Sequence, residues 1–406
     1  MQQNSRRERA FISGMGCITS AGLGLQTLWE KAKAGQPCIH PIIQPSFAGA
    51  RIRQAALVLD DPFEHIQISP RKYDRFAAFA LIAVQEAIEM AALNGFEFSD
   101  RTAVIFGSGL GGATSINLLT DTLNSGNARV DPMTVPKVMA NAAASAISME
   151  LGIRGPSYCV SSACASSSQA IGLGLLMIRS GMVDRAIVGG SEAQITPAVM
   201  KGWEALRVLT PGKNRPFSAR RSGMVIGEGA GAIVLESETA LMARSVNPVA
   251  ELAGYGTTSD ADDMLRPNAD SAAKAMNSAL QSADMDPGEI SYVNAHGTGT
   301  VLNDNAEFQA LSQVFGSMLA GKPVSSTKPI HGHTIGAAGA IELIIAIKAM
   351  TDGFLPPTIN WEAIDPECPL DVVPNEGRQH ECQAVLSNSF AFGGINSCLI
   401  ARAIRE

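Results

Sequence analysis

Apolar runs with helical spacing alternate with short apolar runs along most of the chain. Helices are predicted at Asp74–Ala92 and Asp270–Ala283, and each leads through a Gly-containing turn to a short strand, Ala103–Phe106 or Ser291–Asn294. A Gly-rich loop follows each strand. Because strands alternate with helices in both places, the pattern predicts mainly parallel sheets and two similarly built halves.

The two halves continue in the same way. Strand Ser157–Val160 leads through a polar loop into helix Ala165–Arg179, and strand Pro323–Ser326 leads through another into helix Ile335–Met350. Both helices are apolar nearly all round, which predicts that they are buried. Two such halves packed together would bring both helix starts to the centre of the molecule.

The boundary between the halves is predicted near Ser245–Asn247. The preceding stretch, Gly223–Glu236, alternates small and β-branched residues, which predicts a strand that another backbone approaches closely. We therefore assign residues 1–245 to an N-terminal half and residues 246–406 to a C-terminal half. A chain of 406 residues is too long for one ordinary core, which fits a duplicated fold.

Composition narrows the class of protein. Charged residues are 17% of the chain and aromatic residues 5%, a profile typical of a tightly packed α/β enzyme. The net charge of −7 gives no indication of a surface that binds nucleic acid. No apolar signal core follows the polar start Met1–Arg9, and Ala340–Met350 is too short and too charged to span a membrane. Seven scattered cysteines without a C-x-x-C pair indicate reduced thiols in a cytoplasmic protein.

Cys164 lies between a predicted strand and a predicted buried helix, in the polar segment Ser161–Ser168. Unpaired N–H groups and the dipole of a helix N-terminus favour an anion. Such a position can lower a thiol pKa from ~8.5 to below ~7.5, and its N–H groups can hold an oxyanion. Local context leaves two interpretations open, a catalytic nucleophile and a buried structural cysteine.

Two further loops hold three of the six histidines. His296 follows a strand in the segment Asn294–Thr300, where α/β folds place ligands, although a histidine bonded to loop backbone is the alternative. His331 and His333 lie in the segment Ser325–Gly339. No Cys or carboxylate lies near them at zinc spacing, which disfavours a metal site.

Two other features carry chemistry. Lys328, in the same apolar loop as His333, predicts a buried cation that needs a partner, and Glu342 on the following helix is the candidate. The segment Asn388–Asn396 follows the strand-like Ala384–Ser387, and the glycines beside Phe392 predict a mobile aromatic side chain. A core turn is the alternative for this segment.

Together these segments resemble the β-ketoacyl-acyl-carrier-protein synthase family, the condensing enzymes of fatty acid synthesis. The resemblance covers almost the whole chain, from Ile12–Gly16 to the strand near Cys398–Ala401. Its motifs are Ala-Cys-Ala-Ser, His-Gly-Thr-Gly-Thr with a following Asn-Asp, Thr-Lys with Gly-His-Thr and Gly-Ala-Ala-Gly, and Phe-x-Phe-Gly-Gly-x-Asn, in the family's order. The resemblance implies a thiolase-like α/β fold, with duplicated βαβ halves in a layered αβαβα architecture.

The resemblance also implies a reaction. One Cys and two His are typical of the elongating type, which takes both substrates from acyl carrier protein. Cys164 would accept the acyl group, and the backbone N–H groups of Cys164 and Phe392 would form the oxyanion hole. His296 and His333 would stabilise the enolate left when malonyl-carrier protein loses carbon dioxide. Lys328 would tune this site, and the 3-oxoacyl product would form without a metal or organic cofactor.

Further residues are assigned by the same resemblance. Phe392 would gate the acyl pocket, Glu342 would support Lys328, and Leu110 in the Gly-rich loop would end the acyl pocket near a dimer interface. The remaining assignments are contacts to the phosphopantetheine arm by Thr298 and Thr300, and a carrier-protein docking patch of Arg71, Lys72 and Arg75. A solvated helix face is the alternative for Arg75. A homodimer is expected from the family.

Two residues depart from the usual family pattern. Ala391 stands where many members have Gly, and His331 occupies a position often held by another small polar residue. Both are found in nodulation-type and other specialised synthases. A ketosynthase for a polyketide, aryl polyene or nodulation-type acyl chain is therefore the alternative to fatty acid elongation.

Three other classes of protein agree less well with the sequence. The segment Gly107–Gly112 matches the G-x-G-x-x-G dinucleotide fingerprint, but no clear acidic ribose partner follows it. A thiolase would bring a second catalytic cysteine near the C-terminus, whereas Cys398 lies in a strand-like stretch. A non-catalytic chain-length factor typically lacks the nucleophile, whereas Cys164, His296 and His333 are all present.

Overall fold

The computed structural model of the chain describes residues 8–66, 69–126 and 129–404, so most of the polar start lies outside the described residues. The strands are β1 Ala10–Thr19, β2 Gly22–Leu23, β3 His40–Pro41, β4 Gln54–Ala55, β5 Thr102–Gly107, β6 Ser157–Val160, β7 Arg185–Glu192, β8 Gly229–Ser237, β9 Ala250–Ser259, β10 Tyr292–Asn294, β11 Val324–Ser325, β12 Phe354–Leu355, β13 Arg378–Gln379, β14 Ala384–Ala391 and β15 Ile395–Arg402. The α-helices are α1 Leu25–Lys33, α2 Pro62–Ile66, α3 Arg75–Met90, α4 Ala113–Asn124, α5 Thr134–Val138, α6 Ala142–Leu151, α7 Ser166–Arg179, α8 Pro197–Ala205, α9 Glu238–Met242, α10 Ala269–Ala283, α11 Val301–Phe315, α12 Lys328–His331 and α13 Ala338–Asp352.

The main sheet shows that the fold is duplicated. Its continuous path runs β11-β10-β14-β15-β9-β1-β8-β7-β5-β6. From the centre outwards, the strands of each half follow the order first, fifth, fourth, second, third in chain sequence. In both halves the fifth strand is antiparallel to its neighbours and the outer three strands are parallel. The halves join where β1 pairs with β9 over Phe11–Glu251 and Ile12–Ala250.

The helices form layers on both sides of the half-sheets. Helices α7 and α13 contact strands of both halves and each other, so they lie between the two half-sheets. Helices α3 and α6 pack on the outer face of the N-terminal half, and α10 and α11 cover the C-terminal half. The predicted αβαβα architecture is therefore confirmed.

Local sequence signals explain where the outer helices begin. The Asp74 carboxylate accepts a hydrogen bond from the N–H of Phe76 at the start of α3, and Asn268 does the same for Ser271 at α10. Helix α13 ends at Gly353, whose φ of 62° suits a left-handed cap. Helices α7 and α13 carry few polar positions because apolar layers enclose them.

Two predicted boundaries differ from the structure. The central helices open as 3-10 turns, Ala163–Ala165 and Ile335–Ala337, before regular α-helix begins. The strand predicted over Gly223–Glu236 is a strand only from Gly229. The residues before Gly229 leave the sheet, and Ile226 instead forms a bridge with His333.

Among the described residues, no helix has the length and apolar character needed to cross a bilayer. All seven cysteines are free thiols.

Candidate active site

The carboxyl ends of parallel strands converge on one cavity of about 350 Å³. Cys164 follows β6, His296 follows β10, and His333 lies beyond β11. All three line the cavity, with Phe392 between β14 and β15. The duplicated topology thus brings together residues that are far apart in sequence, as predicted. The cavity lies beyond the carboxyl ends of the strands, where α/β sheets bind their ligands.

Cys164 lies in the tight turn before α7. Its buried Sγ is 2.9 Å from Nε2 of His333. The preceding residue, Ala163, has a φ of 47°, an uncommon conformation for a residue with a Cβ. The Ser166 hydroxyl holds this turn by accepting from the Ser162 N–H and donating to the Ala163 carbonyl. Strained backbone of this kind is concentrated at functional sites.

His296 is held by a buried carboxylate. Glu307 on α11 accepts hydrogen bonds of 2.8 Å from the backbone N–H groups of His296 and Gly297. The His296 ring lies 5.3 Å from the His333 ring, nearly perpendicular to it. Both imidazoles can therefore face one atom in the cavity.

The predicted pairing of Lys328 with Glu342 is present. The two side chains are buried, with Nζ 2.5 Å from Oε1 of Glu342. Lys328 also donates to the backbone carbonyl of His296, and its Nζ is 3.4 Å from Nδ1 of that ring. A buried cation requires such partners, and here they connect it to the His296 loop.

The expected lowering of the Cys164 thiol pKa is not found. Burial raises the pKa of Cys164 to about 12, and the nearby Lys328 charge offsets only part of this effect. A helix N-terminus favours the thiolate, but the loss of solvent around the fully enclosed sulfur disfavours it more strongly. Burial, with the Lys328 charge, also lowers the pKa of His296 and of His333 well below 6.5. At neutral pH the free site holds a thiol and two neutral imidazoles.

Thr298 and Thr300 both line the cavity, and their hydroxyls are 2.9 Å apart. Their loop is held by Asp304, which accepts hydrogen bonds from the N–H groups of Gly299 and Phe217. Gly299 has a φ of 79°, and a Cβ there would lie 2.3 Å from the amide nitrogen of Asn214. The loop therefore requires glycine at this position.

Phe392 lies at the cavity wall and stacks on Trp203 of α8, with ring centroids 6.0 Å apart. The Trp203 indole N–H in turn donates to the side chain of Gln194 at 3.2 Å. The aromatic side chain predicted to be mobile therefore has a defined resting partner.

Leu110 lies in the loop after β5 and is 49% exposed, outside the lining of the cavity. The N–H groups of Gly109 and Leu110 donate to Glu192, and that of Gly111 donates to Ser108 Oγ. These donors are occupied by the protein's own side chains, so the dinucleotide interpretation of the loop is not supported.

The predicted docking residues differ in their surroundings. Arg71 is exposed, and Lys72 is half exposed while it pairs with Glu150 at 2.5 Å. Arg75 is turned inwards, where its guanidinium contacts Glu228 at 3.0 Å and the carbonyl of Val58. Arg71 and Lys72 are therefore accessible to solvent, with Lys72 in a surface ion pair, whereas Arg75 has a structural role in an internal ion pair.

Two sets of residues carry atoms that can ligate a metal ion. His331 bonds to Thr327 at 2.9 Å through Nε2 and does not line the cavity with His333. In the described part of the chain, the one set of ligating atoms close enough to share a metal ion is Cys164, His296 and His333, within 4.8 Å of one another. These are the same atoms that a thiol–imidazole acyl-transfer site requires.

Several residues that shape the site had no role predicted from the sequence, although Asp304 belongs to the Asn-Asp pair of the His296 motif. Asp304 and Glu307 lie three residues apart near the start of α11 and are fully buried, which is unusual for carboxylates. Their position directly after the His296 loop was an available signal. Glu192 and Trp203 had no comparable signal, because their partners are distant in sequence.

The comparisons with known proteins agree with this geometry. Residues 7–240 match the family model "Beta-ketoacyl synthase, N-terminal domain", and residues 249–362 match "Beta-ketoacyl synthase, C-terminal domain". The chain is 40% identical to "Nodulation protein E" of Rhizobium leguminosarum bv. trifolii, with 98% of this chain and 99% of the relative covered. It is 36% identical to "3-oxoacyl-[acyl-carrier-protein] synthase 2" of Staphylococcus aureus (strain COL), with 98% of each covered.

A solved structure described as "The ishigamide ketosynthase/chain length factor" superposes with a TM-score of 0.93 at 34% identity, over 98% of this chain and 100% of that one. The fold, the convergent thiol and imidazoles, and these matches lead to one conclusion. The chain belongs to the β-ketoacyl synthase family of thiolase-like condensing enzymes, which transfer acyl groups and form carbon–carbon bonds.

Proposed function

We propose that the chain condenses an acyl group held on Cys164 with malonyl-acyl carrier protein, giving a 3-oxoacyl-carrier protein two carbons longer. The observation that carries this proposal is the 2.9 Å contact between Cys164 Sγ and His333 Nε2, with the His296 ring beside it. A nucleophile in contact with a base is the arrangement that acyl transfer requires.

Acylation begins from the thiol. Since burial raises the pKa of Cys164 to about 12, the sulfur loses its proton as it attacks, and His333 Nε2 is placed to accept it. The thiolate adds to the acyl thioester carbonyl, and the N–H groups of Cys164 and Phe392 stabilise the oxyanion. The carbon–sulfur bond to the carrier breaks, and the carrier sulfur takes the proton from His333 and leaves as a thiol.

Condensation uses both histidines. Loss of carbon dioxide from the malonyl thioester leaves an enolate, and His296 and His333 donate hydrogen bonds to its oxygen as neutral imidazoles, since their pKa values are well below 6.5. The enolate carbon attacks the acyl-cysteine, and the bond from the acyl carbon to sulfur breaks. The released thiolate takes up a proton from water, which restores the free enzyme.

Other residues support these steps. Lys328 holds the His296 loop through its carbonyl, and Glu342 balances the lysine charge. Thr298 and Thr300 receive the phosphopantetheine arm along the cavity, and Phe392 gates passage between the malonyl and acyl sides. No metal or organic cofactor has a step in this scheme.

Fatty acid elongation is the first candidate pathway, because the Staphylococcus aureus relative is named "3-oxoacyl-[acyl-carrier-protein] synthase 2". A specialised acyl chain is the second candidate. It is favoured by the 40% identity to a nodulation protein and by Ala391 and His331, which depart from the common family pattern. Both candidates use the chemistry described above, so they differ only in the acyl group.

The assembly is proposed on the same basis. Strand β6 ends one edge of the sheet, and its first two residues are exposed. An open strand edge can pair with another strand, and a two-fold axis lets β6 pair with its own copy. We take a homodimer as the working unit, active in the cytoplasm, where the seven free thiols stay reduced. We place the division between the halves at residues 245 and 246, before β9.

The carrier protein should dock through Arg71 and Lys72, since family carriers are acidic. Reversal of both charges to Glu is expected to raise the KM for carrier-bound substrates about tenfold at low salt, because charge complementarity favours encounter. A small pantetheine thioester should be unaffected. Lys274→Glu, at an exposed site on α10, is the control. An unchanged KM at low salt would contradict the docking assignment.

The deciding experiment is intact-mass measurement after incubation with acyl-carrier thioesters of several lengths and with oxygenated or unsaturated acyl groups. Malonyl-carrier protein is then added, and protein treated with EDTA and Cys164→Ala serve as controls. An adduct that needs Cys164, survives EDTA treatment and is discharged as a longer 3-oxoacyl product supports the proposal. Adducts with modified chains alone would favour the specialised pathway. No discharge by malonyl-carrier protein would contradict condensation.

A further inference from the structure

Glu192 is a fully buried carboxylate at the end of β7 that the reaction scheme does not use. None of the ion pairs formed by the described residues includes it. It instead accepts hydrogen bonds from the N–H groups of Gly109, Leu110 and Gly336 and from the Ser108 hydroxyl. Burial raises the pKa of Glu192 to about 7, while these donors oppose that rise.

The two carboxylate oxygens have different partners. Oε2 accepts from Gly109 at 2.6 Å and from Gly336 at 3.0 Å, so a single oxygen joins two segments of the chain. Oε1 accepts from Leu110 at 3.1 Å and from Ser108 at 3.3 Å, both in the loop after β5. Glu192 therefore connects the Leu110 loop of the N-terminal half to the turn before α13 in the C-terminal half.

The space around this contact is closed. A Cβ on Gly336 would lie 2.5 Å from the Gly109 nitrogen and 2.6 Å from Glu192 Oε2, so only glycine permits this approach. The neighbouring Ile335 has a φ of 46°, a strained conformation for a β-branched residue. Such strain persists only where the surroundings hold it, and the bond from Gly336 to Glu192 is one restraint on this turn.

His333 lies two residues before Ile335, so the position of its ring depends on the same turn. We propose that Glu192 is a positioning residue that couples the Leu110 loop to the His333 turn through its shared carboxylate oxygen. A change on the acyl-chain side is thereby transmitted to the imidazole that contacts Cys164. This inference rests on the role proposed above for His333 and on the acyl-pocket role that the family resemblance implies for Leu110.

The test compares Glu192→Gln and Glu192→Asp with the wild-type chain. The amide keeps the volume but loses one acceptor, and the shorter carboxylate cannot reach both segments. Two readouts are measured: carbon dioxide release from malonyl-carrier protein without an acyl donor, which reports His333, and the rate of Cys164 acylation against chain length, which reports the Leu110 loop.

Both variants are expected to slow decarboxylation about tenfold, the lower end of what loss of a supporting hydrogen-bond partner costs. Both should also change the order of preference among acyl chain lengths. Thr114→Val is the matched control, because it removes a hydrogen bond to the carbonyl of Ala193, next to Glu192, and leaves the carboxylate in place. It should leave both readouts within twofold of wild type.

A change in only one readout, or in neither, would overturn the coupling. So would equal losses in the control, which would indicate general destabilisation, and thermal midpoints of all variants are measured for this reason. If Glu192→Gln does not fold, Glu192→Asp carries the same comparison. A wild-type chain that forms no acyl adduct would contradict the proposed function itself, which separates that failure from this one.

Discussion

Cys164, His296 and His333 hold uncharged side chains in the free protein because burial disfavours charge in each of them. The pKa of the thiol is raised to about 12, and those of both imidazoles lie well below 6.5. In a neutral imidazole one ring nitrogen donates and the other accepts, so the nitrogen facing the cavity accepts the thiol proton in one tautomer and donates to an enolate oxygen in the other. Desolvation at these residues therefore sets the protonation states from which both halves of the proposed reaction begin.

His331 provides a test of this electrostatic argument outside the reacting atoms. Burial lowers its pKa to about 3, against ~6.5 for an exposed histidine. Between these values the unfolded chain binds a proton that the folded chain does not, so stability falls as pH falls. His331→Gln, which keeps a polar group facing Thr327, should reduce that loss by about 2–3 kcal/mol between pH 6.5 and 4.5. Urea unfolding at pH 6.5, 5.5 and 4.5 measures it, and identical slopes for both proteins would contradict the prediction.

The buried pair of Lys328 and Glu342 can be tested with one single and one double variant. Lys328→Met leaves Glu342 buried without its cation, and is expected to lower the free energy of unfolding at pH 8 by about 3 kcal/mol. Lys328→Met with Glu342→Leu should restore most of that stability, because no charge remains to be desolvated.

Decarboxylation should stay low in both variants, since the Lys328 contact to the His296 carbonyl is absent from each. Chemical unfolding and carbon dioxide release are measured on the same preparations. Recovery of decarboxylation in the double variant would show that Lys328 acts only on stability.

At the scale of elements, the two central helices begin in matching ways. Each is preceded by a 3-10 turn containing one residue with positive φ, Ala163 before α7 and Ile335 before α13. Cys164 in the first turn and His333 just before the second both line the shared cavity. Duplication of one strand–turn–helix unit thus places the proposed nucleophile and its proposed proton acceptor in contact.

The loop between β14 and β15 contacts helix α8 through the rings of Phe392 and Trp203. Trp203→Ala removes the ring on which Phe392 stacks, and aromatic pairs contribute about 0.5–1.5 kcal/mol. If the stacked state is the closed gate, malonyl decarboxylation without an acyl donor should rise about threefold to tenfold, the rate equivalent of that energy. Trp203→Phe retains a stacking partner and is the control. Equal uncoupled rates in Trp203→Ala and wild type would show that the stack does not hold the gate.

At the scale of the whole molecule, the N-terminal half exposes large apolar side chains. Tyr158 on β6 is 49% exposed, and helices α4 and α5 expose Ile116, Leu118, Leu123 and Val135. Exposed apolar side chains at an open strand edge such as β6 fit a surface that binds another chain. The β6 edge and this surface are in the same N-terminal half as Cys164.

Tyr158→Glu would place a carboxylate at the proposed two-fold edge, where its copy brings a second one. Light scattering is expected to give twice the chain mass of 42.5 kDa for wild type and a single chain mass for the variant, because like charges facing each other oppose association. Met242→Glu, at an exposed site on α9, is the control. A wild-type monomer would contradict the homodimer and would favour assembly with a different chain.

Much of the molecule could be predicted from the sequence. Apolar periodicity located helices α3, α10 and α13 within a few residues, and the repeated strand–loop–helix order predicted the duplication seen in the sheet. Local context made Cys164, His296 and His333 candidates, and the family resemblance of their motifs assigned their roles. These features depend on residues that are close together in the sequence, so the pattern of residue types predicts them.

Other properties were decided only by tertiary structure. The raised pKa of Cys164, the inward ion pair of Arg75 and the bridging position of Glu192 depend on which distant segments enclose each side chain. Sequence spacing carries the local dipole of a helix start, but the desolvation that outweighs it arises from packing of both halves. The sequence by itself therefore determined which groups form the site, and packing decided their charge and their connections.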